Sequence, residues 1–177
     1  MVQVSLADPA SPEGQALLEA LSVTLQQITG SSGKASFDAG DVQGERACFA
    51  IAWLPSGEAV GCGAIRPLES GIAELKRMFA VPGHRAVGSA LLAFLEHKAL
   101  EFGYGQVWLE TRKINQRAVA FYERHGYVSI PNFGRYVGRQ DAVCLGKPLG
   151  AASQQPANPS VKGTSCGKPQ AAPYLER

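Results

Sequence analysis

Between Glu74 and Ala99 the chain reads ELKRMFAVPGHRAVGSALLAFLEHKA, and its period changes once along the way. ELKRMFAV alternates as a strand does, while GSALLAFLEHKA spaces its apolar residues as a helix does. The six residues that join them, Arg85, Ala86, Val87, Gly88, Ser89 and Ala90, include one glycine, small side chains and no acid. A strand that runs through such a loop into a helix N-terminus aims several unpaired backbone N–H groups at one point. Those donors and the positive end of the helix dipole suit an anion, a phosphate above all. A plain connection in which Gly88 only gives close packing would read the same way, so the surroundings have to decide.

Upstream, VQVSLA (residues 2–7) alternates as a strand. Pro12 and Glu13 then open a helix predicted to run to about Thr29, with Leu17, Leu18, Leu21 and Leu25 on one side and Gly30 as its stop. Residues 30–46, rich in Gly, Ser and Asp, read as a loop with room for a short helical turn. ACFAIAWL and EAVGCGAIRPL flank PSG, a hairpin signature, and ESG at 69–71 turns into IAELKRMFAV. A helix is predicted over 88–102, then a strand YGQVWLET, a helix NQRAVAFYERH and two strands, YVSI and DAVCLGKPL. In ELKRMFAV simple alternation puts Glu74, Lys76 and Met78 on one face and Leu75, Arg77 and Phe79 on the other.

The order β-α-β-β-β-α-β-α-β-β predicts an α/β fold with a mixed (α+β) sheet and helices on its faces, one domain over residues 1–149. Residues 150–177 have several prolines and no apolar periodicity, and are expected to be a flexible low-complexity tail, with Tyr174 and Leu175 as its candidate docking groups.

Charge narrows the function classes. The 17 Lys and Arg exceed the 15 Asp and Glu by two. Setting aside Lys162, Lys168, Arg177 and Glu176 in the final segment leaves fourteen of each. Arg112, Lys113, Arg117 and Arg124 form only a local cluster, so no nucleic-acid partner is expected. No apolar stretch is long enough to span a bilayer and the N-terminus has no signal-like run, so no membrane partner and a cytoplasmic location are expected. Cys48, Cys62, Cys144 and Cys166 are far apart, and His84, His97 and His125 complete no ligand spacing. The cysteines read as reduced thiols, and no metal is expected.

AELKRMFAVPGHRAVGSALL, with NQRAVAFYERHGY downstream, resembles the GNAT superfamily of acyl-CoA-dependent N-acetyltransferases over roughly residues 2–149. The resemblance implies the GNAT fold, and acetyl-CoA as co-substrate. It also implies a pyrophosphate loop of pattern Arg/Gln-x-x-Gly-x-Gly/Ala, matched literally by residues 85–90. Bacterial relatives usually read Arg-Gly-x-Gly-x-Gly-x-x-Leu-Leu, whereas Leu91 and Leu92 follow Ala90 directly, two residues early. Either the literal match holds or Val87 and Gly88 form the second half of a shortened loop.

The resemblance further implies Glu74 as the carboxylate that takes the amine proton and Tyr122 as the acid that meets the departing thiolate. The backbone at Phe79, Ala80 and Val81 would hold the oxyanion and run beside the pantetheine arm. Glu74 could equally pair with Arg77 or Lys113, and Tyr122 could be a core aromatic. Asn115 caps its helix whatever else it does, and a cofactor contact is compatible with that. In this fold the acceptor pocket lies between residues 25–41 and the connection PNFGRYVGRQD. Phe133 and Tyr136 are candidate walls, and Arg66 or Arg135 a candidate carboxylate partner. The expected reaction is direct acetyl transfer to a primary amine of a small molecule or peptide, in a protein that could form a homodimer through its last strands. The competing reading is a degenerate relative that binds acyl-CoA or a protein without turnover.

Overall fold

The structure, a computed structural model, describes residues 1–150. Residues 151–177 of the predicted tail, with Cys166, Tyr174 and Leu175, lie outside the described residues. The elements follow the predicted order: β1 (Gln3–Leu6), α1 (Pro12–Thr29), β2 (Cys48–Trp53), β3 (Ala59–Glu69), β4 (Ile72–Ala80), α2 (Val87–Glu101), β5 (Gln106–Arg112), α3 (Gln116–Arg124), β6 (Val128–Ile130) and β7 (Ala142–Pro148). The loop after α1 holds two 3-10 turns, at Lys34–Ser36 and Ala39–Val42. Helix α1 starts where a Ser11 cap accepts from the Gly14 N–H, with proline in its first turn, and stops at Gly30 in the left-handed region (φ 74°).

The seven strands form one mixed sheet in the order β1-β2-β3-β4-β5-β7-β6. Strand β7 is therefore interior, and of the last two strands only the three-residue β6 forms an edge. Helices α2 and α3 cover one face through Val87, Leu91, Leu92, Leu95 and Tyr122. On the other face, Leu17 of α1 packs with Phe49, Ile51 and Cys62. Buried apolar side chains of this kind contribute about 1.5–3 kcal/mol each.

Two features of β4 shape everything that follows. It pairs with the parallel strand β5 only from Ile72↔Gln106 to Glu74↔Trp108, and beyond that pair the two strands have no shared ladder. Its register against β3 slips by one between Cys62↔Phe79 and Ala64↔Lys76, so Arg77 and Met78 together oppose Gly63 in a bulge, with Arg77 at φ 54°. The bulge corrects the simple alternation. Arg77 points to the α1 side, where it bonds Ser22 and Leu18, whereas Met78 joins Leu75 in the core beneath α2.

Gly61, paired with Ala80, sits where β3, β4 and α2 meet closely. A Cβ there would lie 2.7 Å from the Phe79 carbonyl oxygen and 2.6 Å from Val87 Cγ1. Since one of those atoms is backbone, Gly61→Ala should destabilise the fold by roughly 1–3 kcal/mol, read as a lower urea midpoint at unchanged m-value.

Candidate active site

Where β4 and β5 part, a cleft of about 200 Å³ opens through the sheet. Strand β4 lines it with Leu75, Lys76, Arg77 and Met78, and β5 with Leu109, Glu110, Thr111 and Arg112. From the α3 side come Tyr122, Ala118 and Asn115; from the α1 side come Leu21, Leu25 and the 31–36 loop; Arg135, Tyr136 and Arg139 close it.

Of the expected residues, the cleft brings together Tyr122, Asn115, Tyr136 and Arg135. Tyr122 is 8% exposed, packed edge-on against Phe121 and Tyr127, and its hydroxyl has no hydrogen-bond partner among the described residues. Burial pushes its phenol well above the ordinary range, so it keeps its proton. Asn115 caps α3 by accepting from the Ala118 N–H at 3.3 Å. The Tyr136 hydroxyl accepts from Lys76 Nζ at 2.9 Å.

Glu74, Arg66 and Phe133 stand off the cleft. Glu74 is buried and ion-paired, but with neither Arg77 nor Lys113. Its Oε2 accepts from Arg66 at 2.9 Å, and its Oε1 lies 3.5 Å from Lys76 Nζ. Arg66 is also bound to Asp41, so its guanidinium is held between two carboxylates. Phe133 is core, packed on Trp108 and Tyr136.

The carboxylate that does line the cleft is Glu110 of β5, which the sequence reading passed over. Its side chain is 12% exposed, and its buried Oε1 has no hydrogen-bond partner, with Arg112 Nε at 3.6 Å, too far to donate. Burial raises its pKa, with Lys76 and Arg112 opposing. Burial likewise lowers that of Lys76, against the pull of Glu74. The signal was present in the alternation of VWLETR, which puts Glu110 on the opposite face from the core residues Val107 and Leu109, but nothing in the sequence shows that β4 leaves that face uncovered.

Helix α2 starts at Val87, after Ala86 in the left-handed region at φ 67°, a strained position for a residue with a Cβ. The first helical hydrogen bond is Ala90 N–H to Ala86 O, so the N–H groups of Val87, Gly88 and Ser89 have no acceptor among the described residues. These three amides fit an anion. A Cβ at Gly88 would stand 3.3 Å from the Phe121 ring, so this glycine gives close packing of α2 on α3. Ser89 Oγ lies 2.9 Å from His125 Nε2. Along β4, the Val81 N–H already donates to Val60 O at 2.9 Å; alternation therefore turns the Ala80 and Met78 N–H groups toward the gap.

The three described cysteines, Cys48, Cys62 and Cys144, are free and buried. Cys62, 0% exposed, is pushed up to about 12 by burial, Cys144 is also raised by burial, and both stay protonated. Among the described residues no group of three or more potential metal ligands occurs, and no helix is long and apolar enough to cross a membrane.

The profile of the Acetyltransferase (GNAT) family matches residues 15–127. Among solved structures, the chain is similar to a Klebsiella pneumoniae protein described as an acyl-CoA N-acyltransferase (32% identity, 84% of this chain and 98% of that one, TM-score 0.72). It also shares its fold with an acetyltransferase from Streptococcus agalactiae (22%, 84% and 98%, TM-score 0.69). A third fold match is the PaiA N-acetyltransferase of Thermoplasma acidophilum in complex with coenzyme A (15%, 84% and 99%, TM-score 0.65). A search of curated proteins returned no match. Together with the splayed sheet and the open amides of α2, the family match shows that the chain belongs to the GNAT family of acetyltransferases, which implies acyl-CoA-dependent acyl transfer.

Proposed function

We propose that the protein is an N-acetyltransferase that moves the acetyl group of acetyl-CoA directly to a primary amine of a small molecule or peptide, in a ternary complex. The observation that carries this is the pairing of Glu110 and Tyr122 across one cleft, each with an unpartnered polar atom. Acetyl-CoA supplies the thioester carbonyl; the protein supplies positions, charges and protons. The amides of Val87, Gly88 and Ser89 hold the pyrophosphate at the start of α2. The free edge of β4 offers the pantetheine arm a strand to lie against, and the Ala80 and Met78 N–H groups face the charge that develops on the carbonyl oxygen.

An amine attacks only when neutral, so an ammonium acceptor must first lose a proton. We assign that proton to Glu110 instead of Glu74: Glu74 is doubly ion-paired and off the cleft, while Glu110 lines it and has a carboxylate oxygen with no hydrogen-bond partner. As the C–N bond forms and the C–S bond breaks, the Tyr122 hydroxyl gives its proton to the departing sulfur and regains one from the nitrogen of the new amide through water, while Glu110 releases the first proton to solvent. Glu74 keeps Arg66 and Lys76 in place.

Calorimetric titration with acetyl-CoA tests the donor half. Binding in the micromolar range is expected, weakened at least tenfold in Ser89→Asp. An acid in the first turn of α2 favours the helix dipole, so this variant should fold, while its charge repels a phosphate. Absence of binding by the folded wild type would overturn the proposed function.

A further inference from the structure

The cleft is lined by five cations, Lys76, Arg77, Arg112, Arg135 and Arg139, and by one carboxylate, Glu110. Three of the cations are neutralised nearby: Lys76 by Glu74, Arg112 by Asp141 and Glu110, and Arg139 by Asp141 at 3.2 Å. Arg77 and Arg135 have no carboxylate partner among the described residues. Arg77 is only 9% exposed. Its Nη2 donates to Ser22 Oγ (2.6 Å) and Leu18 O (3.2 Å), its Nη1 to Ser32 O (3.3 Å), and its buried Nε donates to nothing. Arg135 Nη1 donates to Ala35 O at 3.0 Å. A buried guanidinium satisfied only by neutral oxygens keeps its full charge at a desolvation cost, which the bulge at Arg77 imposes by turning the side chain to this face.

Both arginines bond carbonyls of the same 32–35 segment, on the wall opposite Tyr122 and Asn115. We infer that this wall receives a carboxylate, and that the acceptor is an amino-acid-like primary amine whose carboxylate is held by Arg135 within the field of Arg77 while its amine faces Glu110. The inference rests on the acetyl-transfer reading above and names the acceptor class that reading leaves open. A polycationic amine would meet two uncompensated positive charges and one acid, so this lining disfavours it.

The test is a thiol-release assay with acetyl-CoA and matched acceptors: the common L-amino acids, each beside its own carboxamide. The free acid of at least one pair should show a kcat/KM tenfold or more above its amide, and Arg135→Gln, an exposed change that should fold, should shrink that ratio toward one. Arg77→Lys, which keeps the charge in the same wall, should retain most of the ratio, and Arg77→Gln should lose it. Equal rates for acid and amide, or faster amides, would overturn the carboxylate assignment while leaving acetyl transfer standing. If acetyl-CoA binds but none of the pairs reacts, the amino-acid class is overturned and the donor site is not. If acetyl-CoA does not bind, the proposed function falls and this inference with it.

Discussion

Glu110→Gln should lower kcat/KM for an amine acceptor by about 10²–10⁴-fold and at the same time raise the melting temperature at pH 7. The first effect follows from removing the unpaired carboxylate of the cleft, since a positioned general base is worth about that factor. The second follows from the sign of the linkage. Burial raises the Glu110 pKa in the folded state, so its stabilising contribution is present in acid, when the group is protonated, and is lost as pH rises through the folded pKa. Glutamine mimics the protonated form at every pH. The stability gap between variant and wild type should therefore close as pH falls below the ordinary glutamate range. Wild-type activity should fall away on the acid side at a pH above that of an ordinary glutamate, and the deficit of the variant should narrow at high pH, where the amine arrives already neutral. If Glu110→Gln keeps its activity while a folded Glu74→Gln loses it, Glu74 is the base.

Tyr122→Phe should cut kcat by about 10²-fold or more with little change in melting temperature. The ring would keep its edge-on contacts with Phe121 and Tyr127, whose centroids lie 5.2 and 5.6 Å away, and the hydroxyl it loses has no partner among the described residues. The usual penalty for deleting a buried hydroxyl is the group left behind unpaired, and here none is left. The KM for acetyl-CoA should hardly move if the hydroxyl acts on the departing sulfur. An acetyl thioester whose thiol has a lower pKa needs that proton less, so its loss should be smaller, a pattern that a structural role for Tyr122 would not produce.

The element order was legible because each segment carries its own period and punctuation. Pro12 and Gly30 bound α1, PSG and ESG make the hairpins, and RAVGSA announces the α2 terminus. What alternation could not show is the insertion of one residue opposite Gly63. That bulge belongs to the register between β3 and β4, and it moves Arg77 across the sheet. The same limit explains the two carboxylates. Glu74 stands in the motif, but its surroundings are made by Arg66 and Asp41, eight and thirty-three residues away in the chain. Glu110 looked like an ordinary strand residue until β4 and β5 were seen to part beyond Glu74↔Trp108. At Gly88 the sequence shows a missing side chain but not the neighbour that profits from it within the fold, the Phe121 ring of α3.

The separation of the cleft's walls has an evolutionary consequence. In the proposed reading the donor side is built from β4, α2 and α3, which pack into the central core. The opposite side is built from the segment after α1 and the connection between β6 and β7, which Arg77 and Arg135 fasten at Ser32 and Ala35. Insertions or replacements in those two loops can change which amine is admitted without altering a residue that handles the thioester. A lineage using this scaffold can therefore diversify its acceptors by loop exchange while its donor chemistry stays the same.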